Sequence, residues 1–222
     1  MLAWSVDAVL RSETVGAIVV AAPPGVEGQL GEAVEASRGA FLAHSASNAP
    51  NVEVFVVTGG ETRAESVANA LAQVESEVVV IHDAARPLLS ASLVDSVVGK
   101  LLERPDADGV VAAAPISDTV KRTREPRPAK GEFPRGGPTI RKTESREHLW
   151  AAQTPQAFRA AKLRAAYEDS DRQRIAAATD EAMLIEKAGG KVLIEPAPAW
   201  NLKVTTPHDL EVAALLLQTR PA

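Results

Sequence analysis

His82, Asp83 and Arg86 follow directly on four consecutive apolar β-formers, Val78 to Ile81, in the stretch VVVIHDAARPLLS. A buried run that ends in an acid and a base suits the mouth of a crevice holding a metal-bound or polyphosphate ligand. In TGGETRAES, residues 58–66, Gly59 and Gly60 let bare backbone approach a ligand just ahead of a helix N-terminus. DTVKR (118–122), LWAAQTPQAF (149–158), TDEAML (179–184) and NLKVTTPHDL (201–210) each set hydroxyls, amides or a lysine beside apolar residues. Such groups grasp phosphate oxygens or a nucleobase. Lys203 stands between Leu202 and Val204, so its ammonium is aimed somewhere specific. Plainer readings stand beside these. Asp83 caps the turn or pairs with Arg86, the glycines merely turn the chain, and Lys203 is a solvated strand lysine. Thr179 and Thr206 read as helix N-caps and Asp209 as a first-turn acid. His82, His148 and His208 have no metal-ligand spacing and are read as structural.

These residues need a scaffold, and the patterning predicts an α/β one. Extended patterns cover 15–24, 51–60, 77–82, 108–116 and 191–196. Helical patterns cover the N-terminal stretch MLAWSVDAVLRS, 32–45, 91–104, about 159–169, 179–188 and 207–218. Val67, Ala70, Leu71 and Val74 add an apolar stripe at helical spacing. Alternating strands and helices predict a mostly parallel, Rossmann-like sheet flanked by helices. Ligands in such sheets bind beyond the carboxyl ends of the strands, which turns Asp83, Arg86 and the 58–66 loop toward one crevice.

The chain has 222 residues, 45% hydrophobic and 24% charged, suiting one domain spanning 1–222. It contains no cysteine, so disulfides and thiolate zinc sites are excluded. No apolar run is long enough to cross a membrane, and the N-terminus lacks an export signal, so a soluble, cytoplasmic protein without a membrane partner is expected. A net charge of −5 argues against a general nucleic-acid coat. Residues 121–146, however, hold nine basic and three acidic side chains, a net +6 against −11 elsewhere. The same region is rich in proline and glycine and too long for an ordinary connection, so 120–147 reads as a projecting arm.

Taken in order, GGETRAESV, HDAARP, DTVKR, REHLWAAQTPQAF, TDEA and NLKVTTPHDL resemble the motifs of the 2-C-methyl-D-erythritol 4-phosphate cytidylyltransferase family, from Met1 to about Leu217. The resemblance implies a glycosyltransferase-A-like nucleotidyltransferase that joins CTP to the polyol phosphate with Mg2+, releases pyrophosphate, and forms a homodimer through the arm. By motif position, Lys203 would contact the α-phosphate and stabilise its pentacoordinate state. Gly60, Glu61 (where the family commonly has Asp) and Ser66 would hold CTP, and Asp83 would lie near the ribose or the metal. Arg86, Thr154 and Thr179 would lie by the polyol phosphate. Thr119 and Arg146 would reach from the arm to the other subunit's substrate phosphate.

The family also opens with a strand and a phosphate-gripping PAAGxGxRM…PK loop, which does not occur in this sequence. The expectation is that Met1 is an internal methionine of an incompletely recorded chain. A chain without that central strand is expected to fold poorly, since each lost buried side chain forfeits about 1.5–3 kcal/mol. Two other readings stay open: a ribitol-5-phosphate cytidylyltransferase, which shares many of these motifs, and a non-catalytic nucleotide-binding relic.

Overall fold

The computed structural model describes residues 1–44, 52–125 and 136–219. Its elements run α1 (Leu2–Leu10), β1 (Ala17–Ala22), α2 (Glu27–His44), β2 (Glu53–Thr58), α3 (Arg63–Leu71), β3 (Val78–Ile81), α4 (Ala91–Glu103) and β4 (Gly109–Pro115). After these come β5 (Lys121–Thr123), β6 (Ile140–Thr143), β7 (Trp150–Arg159), α5 (Ala160–Glu168), α6 (Arg172–Ala177), α7 (Glu181–Lys187), β8 (Val192–Pro196) and α8 (Pro207–Gln218). The first half matches the predicted alternation closely. Residues 45 and 51, the ends of a predicted helix and strand, lie outside the described residues.

The strands form a parallel pair β1–β2, a four-stranded sheet in the order β3-β7-β4-β8, and an antiparallel hairpin β5–β6. Within the four-stranded sheet β4 and β8 are parallel, while β7 runs antiparallel to both β3 and β4. The sequence patterning missed β7, because Gln153, Thr154 and Gln156 interrupt its apolar run. All three are nonetheless buried, at 7%, 3% and 1% exposure, and Gln153 Nε2, Thr154 Oγ1 and Gln156 Nε2 find hydrogen-bond partners around the strand, while Gln156 Oε1 has none among the described residues. Short α6 was missed as well, and so was the β5–β6 hairpin, which is exposed along most of its length.

The core lies on both faces of the four-stranded sheet. Leu71, Ile81, Val111, Phe158, Leu163, Leu184 and Ile185 pack on one side, drawing on α3, α5 and α7. Leu93, Val97, Leu101, Val110, Ala112 and Ala157 pack on the other, beneath α4. A separate cluster of Val6, Leu10, Val34 and Val52 joins α1 and α2 to the β1–β2 pair. Ala8, Leu89 and Val94, with Val15 and Val80 against them, link that cluster to the main sheet. Burying each large side chain here stabilises the fold by about 1.5–3 kcal/mol. Gly109 opens β4 where a Cβ would stand 2.5 Å from the Phe158 ring, so no larger residue fits without moving the core.

Helix starts follow local chemistry. Thr62 and Glu65 form a capping box at α3, and Thr206 and Asp209 form another at α8 with Pro207 in the first turn, as read from the sequence. The cap of α7 differs from that reading. Asp180 accepts from the Met183 N–H, which frees Thr179 from capping. No helix among the described residues is long and apolar enough to cross a membrane.

Candidate active site

The carboxyl end of β3 and the segment after β8 meet around one carboxylate. Beyond Ile81 the chain makes a tight turn closed by the Arg86 N–H donating to Asp83 O at 2.9 Å. Arg63, in the first turn of α3, donates from Nε to Asp83 Oδ1 at 3.0 Å. Lys203 donates from Nζ to Asp83 Oδ2 at 2.8 Å. Lys203 is brought there because the next residue, Val204, donates its N–H to Ala85 O at 2.8 Å, lashing the 201–204 segment to the β3 turn. Behind Arg63 lies Glu181, 1% exposed, whose two oxygens accept from Arg63 Nη1 at 2.8 and 2.9 Å.

These groups open on a polar cavity of about 240 Å³. Asp83, Arg86, Thr154, Thr179 and Lys203, all singled out from the sequence, line it. Arg63, Gln153, Gln156 and Asp180 also line it and were not singled out. Arg63 was legible only as part of a helix start, and the glutamines only as amides within the LWAAQTPQAF stretch. Gly60, Glu61 and Ser66 do not line the cavity. They form the adjoining turn into α3, which Arg63 connects to Asp83. Thr119 and Arg146 are exposed at the base of the arm and away from the lining, with the Arg146 guanidinium donating to Ser117 O. On the hairpin above them Glu144 pairs with both Arg122 and Lys142, so part of the arm's positive charge is internally compensated. Residues 126–135, the tip expected for the arm, lie outside the described residues.

The 58–66 turn is built by its own side chains. Gly60 N–H donates to Ser66 Oγ at 3.0 Å, Ser66 Oγ donates to Thr62 O at 2.9 Å, and Glu65 Oε2 accepts from the Glu61 and Thr62 N–H groups. A Cβ on Gly60 would stand 2.2 Å from Glu65 Cβ. Gly60→Ala is therefore expected to push the capping box apart and cost about 1–3 kcal/mol. Urea unfolding midpoints of the two proteins check this.

Charge balance decides the protonation states. Burial alone would raise the Asp83 carboxyl, but the hydrogen bond from Lys203 and the charge of Arg63 outweigh it and hold the group below the usual carboxylate range. Burial pushes Glu181 the other way, above the usual range, although Arg63 opposes the shift. Burial also lowers Arg86, opposed by the Asp83 charge. A guanidinium stays charged even so. The cavity lining thus sets Arg63, Arg86 and Lys203 against Asp83 and Asp180, a net positive surface that receives anions.

The fit to Mg2+ is poor on the protein side. Asp83 has both oxygens engaged by cations, Asp180 is spent on the α7 cap and on Gln156 Nε2, and no cluster of three potential metal ligands occurs among the described residues. Hard cations of this kind want several oxygen ligands, and these side chains do not supply them.

Residues 1–219 match the family described as 2-C-methyl-D-erythritol 4-phosphate cytidylyltransferase, IspD. The chain belongs to this family. An IspD from Bordetella petrii is 39% identical over 215 residues, a match covering 96% of this chain and 83% of that protein. A bifunctional IspD/IspF enzyme from Anaeromyxobacter dehalogenans is 40% identical over 207 residues, and there the chain spans 47% of the relative's length. The crystal structure of the IspD from Thermus thermophilus superposes with a TM-score of 0.70 at 26% identity, covering 97% of this chain and 87% of that one. The IspD family is one of nucleotidyltransferases, and the α/β architecture described above is its fold.

Proposed function

We propose that this chain transfers CMP from CTP to 2-C-methyl-D-erythritol 4-phosphate and releases pyrophosphate, the reaction for which its family is named. The observation that carries the reading is the convergence of Lys203, Arg86 and Arg63 on one cavity at the end of β3, beside the glycine turn 58–60. An oxygen of the polyol phosphate attacks the α-phosphorus of CTP, the bond to the bridging oxygen breaks, and pyrophosphate leaves with that electron pair. Catalysis of phosphoryl-type transfer is mostly positioning and charge neutralisation, so cations matter more here than a general base. Lys203 spends one N–H bond on Asp83, which orients the ammonium and leaves two for the α-phosphate oxygens. Arg86 and Thr179 take the polyol phosphate, and the backbone of Gly60 and Glu61 with Ser66 faces the cytosine. Asp83 stands near the ribose, Mg2+ would enter with the nucleotide and supply charge neutralisation there, and the reaction takes place in the cytoplasm.

Thr119 and Arg146 are exposed and do not line their own cavity, which favours their serving a second copy in a homodimer. Pyrophosphate release with CTP and each polyol phosphate tests the substrate. Turnover with the methylerythritol compound at least about tenfold above that with ribitol 5-phosphate is expected, and parity or reversal overturns the assignment. Mixing Lys203→Ala with Arg146→Ala subunits is expected to restore about a quarter of wild-type activity, since half the dimers then hold one complete site. No recovery in confirmed mixed dimers defeats the shared site.

A further inference from the structure

His82, Thr154, Asn201 and Arg86 close a ring of hydrogen bonds beneath the cavity. Arg86 Nη1 donates to Asn201 O at 2.8 Å, and Asn201 Nδ2 donates to Thr154 O at 2.9 Å. Thr154 Oγ1 lies 3.0 Å from His82 Nδ1, and His82 Nε2 lies 3.1 Å from Arg86 O. Asn201 is fully buried and Thr154 is 3% exposed, so water does not compete for these two links. Two further bonds tie the ring to the chemistry. The Asp83 N–H donates to Thr154 Oγ1 at 3.0 Å, and two residues beyond Asn201 the chain presents Lys203.

Proton counting allows one arrangement. A carbonyl can only accept, so His82 Nε2 carries the hydrogen that meets Arg86 O. In a neutral ring Nδ1 is then a lone pair, and the Thr154 hydroxyl donates to it. The Thr154 oxygen remains free to accept from the Asp83 N–H, so both ring nitrogens of His82 and the Thr154 hydroxyl are satisfied, while Arg86 Nε and Asn201 Oδ1 stay buried without a partner among the described residues. A second ring proton would turn Nδ1 into a donor and leave the Thr154 hydroxyl hydrogen with no acceptor among the described contacts. Burial favours the same neutral state, lowering the ring's pKa to about 4 against a weaker opposing pull from the Arg86 carbonyl.

We propose that His82, locked as its neutral Nε2–H tautomer, and Asn201 are positioning residues that hold Arg86, Asp83 and Lys203 in register through this ring. Neither touches the substrate. Both act by fixing the backbone from which the substrate-facing cations extend. The Thr154 hydroxyl, with its hydrogen committed to His82, serves the scaffold and offers a ligand no donor. This inference deepens the transfer reading, since it concerns Arg86 on the polyol-phosphate side together with Asp83 and Lys203 beside the transferring phosphate, and it leaves the 58–66 turn that faces the base untouched.

Long-range proton–nitrogen NMR on the uniformly labelled, full-length protein reads the tautomer without any substrate. A neutral Nε2–H pattern for His82 at pH 7 is expected, and an Nδ1–H tautomer or an imidazolium overturns the proposal. In steady-state kinetics His82→Ala and Asn201→Ala are each expected to lower kcat and to raise KM for methylerythritol phosphate, each about tenfold, while KM for CTP, whose base meets the 58–66 turn, moves less than about threefold. His82→Gln, which sets an amide N–H and a carbonyl side by side, is expected to recover most of that loss. Equal movement of both KM values, or no movement in a folded variant, defeats the positioning role. An inactive wild-type protein that still shows the Nε2–H tautomer would defeat the transfer reading and leave the ring standing.

Discussion

Replacing Lys203 by alanine is expected to lower kcat by about a hundredfold to a thousandfold while CTP binding weakens less than about tenfold. The magnitude is that of removing one preorganised donor from developing charge on a transferring group. The asymmetry follows from where Lys203 stands. Its ammonium lies 2.8 Å from Asp83, held by the Val204-to-Ala85 backbone bond, whereas the 58–66 turn assigned to the base is built by Thr62, Glu65 and Ser66 without it. Asp83 keeps Arg63 as a partner in the variant, so the turn at the end of β3 is expected to survive. Single-turnover measurement of CMP transfer beside calorimetric titration with CTP separates the two effects. Unchanged kcat would remove Lys203 from the chemistry.

Arg63→Ala is expected to be the most destabilising change near the site, by about 3–5 kcal/mol, because it leaves a buried carboxylate unpaired. Glu181 is 1% exposed and takes both oxygens' partners from the Arg63 guanidinium, with a longer contact of 3.3 Å from the Tyr167 hydroxyl. A loss of that size consumes much of the roughly 5–15 kcal/mol that holds a domain together. The pH dependence gives the mechanism away. Burial already raises the Glu181 pKa in the folded protein, and removing Arg63 removes the main opposing influence. A carboxyl whose folded pKa lies above its unfolded value binds more protons in the native state. Its penalty is therefore fully present above the folded pKa and relieved as pH falls toward the unfolded value near 4.3. Urea unfolding of Arg63→Ala is expected to show stability rising from pH 8 down to pH 5 relative to wild type. A flat difference over that interval would mean that Glu181 is not the source.

Arg63 also explains why the site was only partly readable from the chain. In TRAES it looks like any first-turn helix residue, and its partners stand 20 and 118 positions away in the sequence. Asp83, Arg86, Thr179 and Lys203 were legible because each breaks a local rule: charge at the end of an apolar run, a lysine between apolar neighbours, a hydroxyl before a helix. Thr154, Gln153 and Gln156 obey no local rule. Their burial follows from β7 entering antiparallel between β3 and β4, a long-range pairing that alternation cannot register. His82 was read as structural for want of metal-ligand spacing. Its role depends on Thr154, 72 residues on, whose hydroxyl faces its Nδ1.

Periodicity and end signals are properties of a few neighbouring residues, so the alternation of helices and strands through β4, the cap at Thr206, and the presence of chemistry beyond β3 could be written down from the chain. The motifs likewise pointed to the family. Which side chains share a cavity depends on sheet order and direction, set by the burial of whole faces such as that of Phe158, Leu163 and Leu184. Tertiary packing alone could therefore give Asp83 its two cations, bury Glu181 behind Arg63, and close the ring that joins His82 to Asn201.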